Sequence, residues 1–338
     1  MEDSRAIGRW LMACCLVLFV LVVVGGATRL TGSGLSIVDW RPVTGMVPPM
    51  STEVWLSEFE KYRQSPEYQK VNRGMSLDEF KRIYWWEWGH RQLARFLGLI
   101  FAVPLIWFWV RRRIPQALRW PLVGILGLGA LQGWMGWYMV SSGLVDIPRV
   151  SPYRLAAHLS LALIIFAAMF WIALRCLWPN AHKGTALTRG GRRAVLTVLS
   201  LLVVTILSGA FVAGLKAGYV YNTFPLMGGR IIPEGILYLS PWWLNFFENP
   251  ATVQFTHRLL GIGTLLLAVG LWGWSLRQSL PRALQLGFHA LVILAVMQAT
   301  LGITTLLMHV PVSLGTAHQG GAVLLLASVL ALAHLARK

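Results

Sequence analysis

Residues 83–110, IYWWEWGHRQLARFLGLIFAVPLIWFWV, decide the fold. The first part is polar and aromatic and sets Glu87 and His90 about one helical turn apart. From residue 92 to 110 the chain is apolar and long enough to cross about 30 Å of hydrocarbon as a helix. Seven further stretches share this character, at residues 10–27, 119–139, 153–174, 194–214, 252–272, 283–306 and 312–334. Eight crossings imply an all-α polytopic membrane protein. Composition agrees: 56% of the 338 residues are apolar and 13% charged, whereas soluble domains lie near about one half and one quarter.

A net charge of +17 raises nucleic acid as a partner, but its distribution speaks against one. An even number of crossings puts both termini on one side with VRRRIPQALR, NAHKGTALTRGGRR and RQSLPR. That side, with Arg175, holds half of the 30 Lys and Arg but, of the 13 acids, only Glu2 and Asp3. Short basic flanks face the cytoplasm, so the longer mixed-charge loops lie outside. The opening MEDSRAIGR resembles the start of a signal peptide, yet the apolar run continues through VVVGGATRLTGSG without a cleavage site, so retention is expected. Cys14, Cys15 and Cys176 form neither a disulfide nor a metal pattern.

The chain repeats itself. His90, His158, His257 and His318 each stand at the outer start of an even-numbered crossing. GATRLTGSG…DWRPVTG matches GAFVAGLKA…NTFPLMG at a spacing of 183, pairing Gly26 with Gly209, Pro42 with Pro225 and Gly45 with Gly228. His90-Arg91 matches His257-Arg258, and Gln132/Gly136 matches Gln298/Gly302. This is the pattern of a duplicated four-helix unit. Two tandem four-helix bundles follow, residues 1–180 with the long outer loop and residues 181–338.

One histidine inside a crossing reads most simply as a helix cap or an interhelical hydrogen bond; four equivalent placements favour ligands. An imidazole pair from two helices can clamp a haem on both faces, His90 with His158 and His257 with His318. Zinc asks for more ligands. Arg91 and Arg258 can pair with haem propionates, and Arg95 and Arg154 are further candidates beside the simpler reading of snorkelling. Gln132 and Gln298 can orient a ligand histidine or join helices. The glycines of GGATRLTGSGLS and SGAFVAGLKAG allow close backbone approach beside a planar ligand. The many tryptophans mark interfaces and packing.

The halves differ where it matters. Glu87 faces Gln254 across the repeat, and Arg29, Asp39 and Arg41 face Val212, Asn222 and Phe224. A carboxylate beside a ligand histidine can orient a substrate or pass protons, or it can serve as a helix-start salt bridge. The charges favour chemistry in the first half, with Glu87, His90 and His158 as its catalytic set, and a resident electron-transfer or structural haem in the second.

At these residues the chain resembles the heme A synthase family of alphaproteobacterial and mitochondrial type. GGATRLTGSGLSIVDWRPVTGMVPP, EFKRIYWWEWGHR, AAHLSLAL, QFTHR and TAHQ carry the resemblance, which covers essentially the whole chain. It implies oxygen-dependent oxidation of the C8 methyl of heme O to the formyl group of heme A, through hydroxylated intermediates, in the bacterial inner membrane. It further implies that His90 and His158 hold the substrate haem beside Glu87, with Arg91, Arg95, Arg154 and Gln132 as substrate-binding residues. His257 and His318, with Arg258 and Gln298, then hold a resident haem b. Heme O, O2 and an electron donor are the implied partners, with a heme O synthase or an oxidase assembly factor as further candidates. Some relatives carry paired cysteines in outer loops; none stands there in this chain. A nucleotide-binding fingerprint is also missing, so direct use of NADH is not indicated.

The first outer loop, residues 28–89, is long, and STEVWLSEFEKYRQSPEYQKV and SLDEFKRIYWWEW have helical periodicity, so short surface helices covering the first site are expected. Residues 215–251 form a second, differently shaped lid. His309 competes with His318 as ligand, the repeated Ala-His favouring His318. His289 reads as a packing or proton-relay residue, and His182 and His334 as inner-surface residues. The rival functions are a di-haem b electron carrier and a duplicated transporter.

Overall fold

The computed structural model describes residues 2–179 and 187–337; His182 lies outside the described residues. In chain order the helices are α1 (Glu2–Leu30), α2 (Thr52–Arg63), α3 (Pro66–Lys70), α4 (Leu77–Val110), α5 (Gln116–Ser141), α6 (Pro152–Leu177), α7 (Arg189–Gly214), α8 (Asn245–Glu248), α9 (Pro250–Ser275), α10 (Arg282–Leu307) and α11 (Val312–Ala336). Among the described residues, seven are long and apolar enough to cross a membrane: α1, α4, α6, α7, α9, α10 and α11. The chain is thus an all-α polytopic membrane protein. Helix α5 matches its neighbours in length at 26 residues, but Gly127, Gly129, Gly133, Gly136 and Gln132 dilute its apolar character.

Apolar faces decide the packing. Helix α1 packs on α4 and α6, and α5 on the same two helices; α9 packs on α7 and α10, and α11 on α10 and α7. Leu11, Leu122, Phe166 and Met169 centre one core, and Val198, Phe288, Leu291 and Val329 the other. Helix α11 also touches α1 and α6. This central place buries His334 at 2% exposure, against Trp178 O and the edge of Trp171. The expectation of a surface residue is corrected: a helix wrapped by neighbours on most sides has no solvent face near its end.

Helix α4 also departs from expectation. It begins at Leu77 because Ser76 and Glu79 form a capping box, Ser76 Oγ accepting from Glu79 N at 3.3 Å and Glu79 Oε2 from Ser76 N at 2.8 Å. SLDEFKRIYWWEW is therefore mostly the outer part of a 34-residue helix rather than a separate surface helix. Glu87 and His90 lie in mid-helix, not at a helix start. The STEVWLSEFEKYRQSPEYQKV segment does form the short α2 and α3. They fold onto the extension of α4 through an aromatic core of Tyr62, Phe80 and Tyr84 with Trp55 and Phe59.

Under this lid sits Glu67, which accepts from Tyr62 Oη at 3.2 Å. Burial pushes its carboxyl from 4.5 up to about 7, against the Tyr62 hydrogen bond and the Lys216 charge and with help from Glu87. The folded lid therefore holds a proton that the unfolded chain releases. Its contribution is complete below about pH 4.5 and is lost as pH rises through about 7. Glu67→Gln is expected to flatten this dependence and to make the lid more stable than wild type above pH 7, by about 3 kcal/mol at most. Exchange of the Val71 and Asn72 amides, both donors to Glu67 O, reads it; equal pH dependence in both proteins would refute it.

Candidate functional site

His257 on α9 and His318 on α11 face each other, ring centroids 6.4 Å apart and planes at 88°. Two collinear metal–imidazole bonds of about 2 Å, with roughly 1 Å from each nitrogen to its ring centre, span about 6 Å. The pair therefore has room for one iron. His90 on α4 and His158 on α6 are the equivalent residues of the first half, and among the described residues no ring contact joins them. His309 is exposed in the connection after α10 and takes no part in the facing pair.

Each ring lies against a glycine of a neighbouring helix. A Cβ added at Gly25 would come within 2.8 Å of His90 Cε1, at Gly136 within 3.2 Å of His158 Cε1, at Gly209 within 3.0 Å of His257 Cε1 and at Gly302 within 2.8 Å of His318 Cε1. These glycines seat the imidazoles themselves, a more specific role than closeness to a planar ligand. The glycine of each Gln-x-x-x-Gly was the available signal in sequence. Gln132 Nε2 donates to His158 O at 3.1 Å and Gln298 Nε2 to His318 O at 2.8 Å, so both glutamines hold the ligand helix by its backbone.

The same clamp recurs above each site. Arg91 Nη2 and Nη1 donate to Ile37 O at 3.0 Å and Asp39 O at 3.2 Å; Arg258 Nη2 and Nη1 donate to Tyr221 O and Thr223 O, both at 2.8 Å. Gly25 and Gly209, Ile37 and Tyr221, and Asp39 and Thr223 are each 184 apart, which corrects the register of 183 over this segment. Gly26 instead packs against Gln319, whose Nε2 donates to Val22 O. In the corrected register Arg29 matches Ala213, and Arg29 Nη1 donates to the Ala213 carbonyl at 3.0 Å. Asp39 matches Thr223, so the charge asymmetry persists.

Glu87, only 3% exposed, occupies a fully made network. Oε2 accepts from Ser36 Oγ and Ile37 N, each at 2.8 Å, and Oε1 from Arg91 Nη2 at 2.6 Å. Among the described residues no hydrogen bond joins it to His90. Gln254 reverses the polarity, donating from Nε2 to Tyr221 O at 3.1 Å. Arg95 donates to Pro42 O and Arg41 O at 2.9 Å, and Arg154 donates to Tyr138 O at 2.7 Å while lying over the Tyr138 ring. Arg91 also lines a cavity of about 30 Å³ with Trp40, Trp137 and Ser141. Trp272 Nε1 donates to His289 Nδ1 at 2.9 Å, which ties α9 to α10.

The donor set fits haem. Among the described residues no three His, Cys, Asp or Glu converge as a zinc site would require, whereas a facing imidazole pair suits an iron held on both faces. Arg258 Nε is buried without a partner among the described residues, a group that a ligand would satisfy; His90 Nδ1 and His318 Nδ1 are also without partners there.

Fold and site define a polytopic helical membrane protein with a histidine pair facing between two helices. The chain matches the cytochrome oxidase assembly protein family COX15-CtaA over residues 8–330. It is 51% identical to a heme A synthase of Nitrosomonas eutropha over 97% of this chain and 93% of that protein. It is likewise 51% identical to heme A synthases of Nitrosospira multiformis, over 99% and 94%, and of Agrobacterium fabrum, over 96% and 88%. The chain belongs to this heme A synthase family.

Proposed function

We propose that the chain is a heme A synthase, a membrane oxidoreductase that converts the C8 methyl of heme O to the formyl group of heme A with O2. The observation that carries the reading is the histidine pair facing across 6.4 Å in the half that lacks the buried carboxylate, while the half that has it repeats the glycine seats. Residues 1–180 form the substrate half, with His90 and His158 as ligands to heme O. Residues 181–338 form the second half, where His257 and His318 hold a haem b flanked by Arg258 and Gln298. That haem supplies one-electron redox chemistry.

The chain's own residues bind and orient. Arg91, with its face toward the cavity beside Trp40 and Trp137, receives a propionate of the substrate. Arg95 and Arg154 fix the surrounding loops, and Gln132 fixes the helix of His158. Glu87 acts as a positioning residue: it ties the 36–37 backbone to α4 and holds Arg91 in place. The α2–α3 lid keeps outer water from the first site. Eight crossings in two four-helix bundles are supported by the packing of α5 between α4 and α6. Both termini are cytoplasmic and the histidines near the periplasmic side, as the basic flanks require. An electron donor is needed; a heme O synthase and an oxidase assembly factor are the candidate neighbours in the membrane.

Pigment analysis of the purified protein tests the reading. One retained haem b with labile heme O, a hydroxylated intermediate or heme A supports a synthase; two fixed b haems without turnover would make it an electron carrier. A colourless protein would leave only the transporter reading.

A further inference from the structure

The two halves treat their equivalent histidines differently. Ser208 precedes Gly209, the seat of His257, and Ser208 Oγ lies 2.8 Å from His257 Nδ1. The same hydroxyl donates its one proton to Thr205 O at 2.7 Å. Toward the ring Ser208 can therefore only accept, so Nδ1 carries the proton and the lone pair is on Nε2. In the first half the residue before the seat Gly25 is Val24, whose side chain has no polar atom, and among the described residues His90 Nδ1 is buried without a partner.

We propose that Ser208 is a positioning residue that locks His257 with Nε2 toward iron, and that Val24, by withholding this lock from His90, makes the first site an exchange site. The inference rests on the haem reading above and deepens it. A hydrogen bond to the distal nitrogen of a ligand imidazole fixes its rotation and raises its basicity, and removing such an outer partner costs about 10–100-fold in metal affinity. The other ligand of that half, His318, has Nδ1 buried without a partner among the described residues, so the hold on a resident haem falls to Ser208 and His257. A substrate that must enter as heme O and leave as heme A is better served by a histidine free to turn. The first half adds a second bias: the Gln132 amide nitrogen, a donor, lies 3.2 and 3.3 Å from the two ring nitrogens of His158, where it competes for the lone pair that iron would use.

The test uses the full-length protein in detergent or nanodiscs and reads haem, not turnover. Ser208→Ala should release its b haem to excess apomyoglobin about tenfold faster than wild type, with a raised midpoint potential as the ligand becomes less basic. Ser208→Thr, which keeps the hydroxyl, should restore both values. Val24→Ser should slow transfer of heme O or heme A from the first site. Wild-type release rate and potential in Ser208→Ala would overturn the lock, and an unchanged first-site rate in Val24→Ser would overturn the exchange argument. Both failures leave the haem reading standing, whereas a wild-type protein without haem would remove that reading and the inference with it.

Discussion

His257→Ala is expected to leave a folded protein that has lost its b haem and the activity that depends on it. The ring is seated on Gly209, held at Nδ1 by Ser208 and aimed at His318. Truncation removes one of the two imidazoles that would hold the haem, leaving His318 alone to bind. The apolar core around Val198, Phe288 and Val329 lies on α7, α10 and α11, away from the ring, and is untouched. Haem per chain should therefore fall by the resident equivalent while the helical circular dichroism holds. His309→Ala serves as the contrast: that side chain is exposed and should be dispensable. Full b-haem content in His257→Ala, or its loss in His309→Ala, would contradict the pairing.

Glu87→Gln is expected to keep the second-half haem and to lower methyl oxidation by about 10²-fold, the scale on which displacing a positioning group by about 1 Å acts. Gln is nearly isosteric, but its amide nitrogen cannot accept. Two donors, Ser36 Oγ and Ile37 N, share Oε2, and Arg91 donates to Oε1. Whichever way the amide turns, one side faces a donor with a donor, at a cost of about 1–3 kcal/mol for a buried unsatisfied group. The second half shows why Gln254 is tolerated there: the loop offers it the Tyr221 carbonyl instead of an N–H. The strain in the variant should appear as movement of residues 36–37 and of Arg91. Undiminished heme A production by this protein would strip Glu87 of its role.

Much of the site could be read before any coordinates. The four histidines, the two following arginines, the two glutamines and the Glu87/Gln254 contrast are all fixed by type and spacing, because a duplicated unit writes its functional residues twice. Helix α4 was harder. Its apolar part was visible, but the polar turns before it look like loop until the Ser76–Glu79 box is seen to start the helix. The register of the repeat slipped by one because Pro42 and Pro225 align at 183 whereas the carbonyls gripped by Arg91 and Arg258 align at 184.

Sequence alone determined that the protein lives in a membrane as helices and that each half carries a histidine at the outer start of two of its crossings. Hydropathy over some twenty residues and side-chain type are local properties, and both are written along the chain. Tertiary structure decided what each polar group does. It turned Arg91 and Arg258 into loop clamps, enclosed Glu87 among three donors, buried His334 in the centre and gave Ser208 to His257 while leaving His90 beside Val24. Those outcomes depend on which helix faces meet, and a hydrogen bond exists only where two distant segments come within about 3 Å at the right angle.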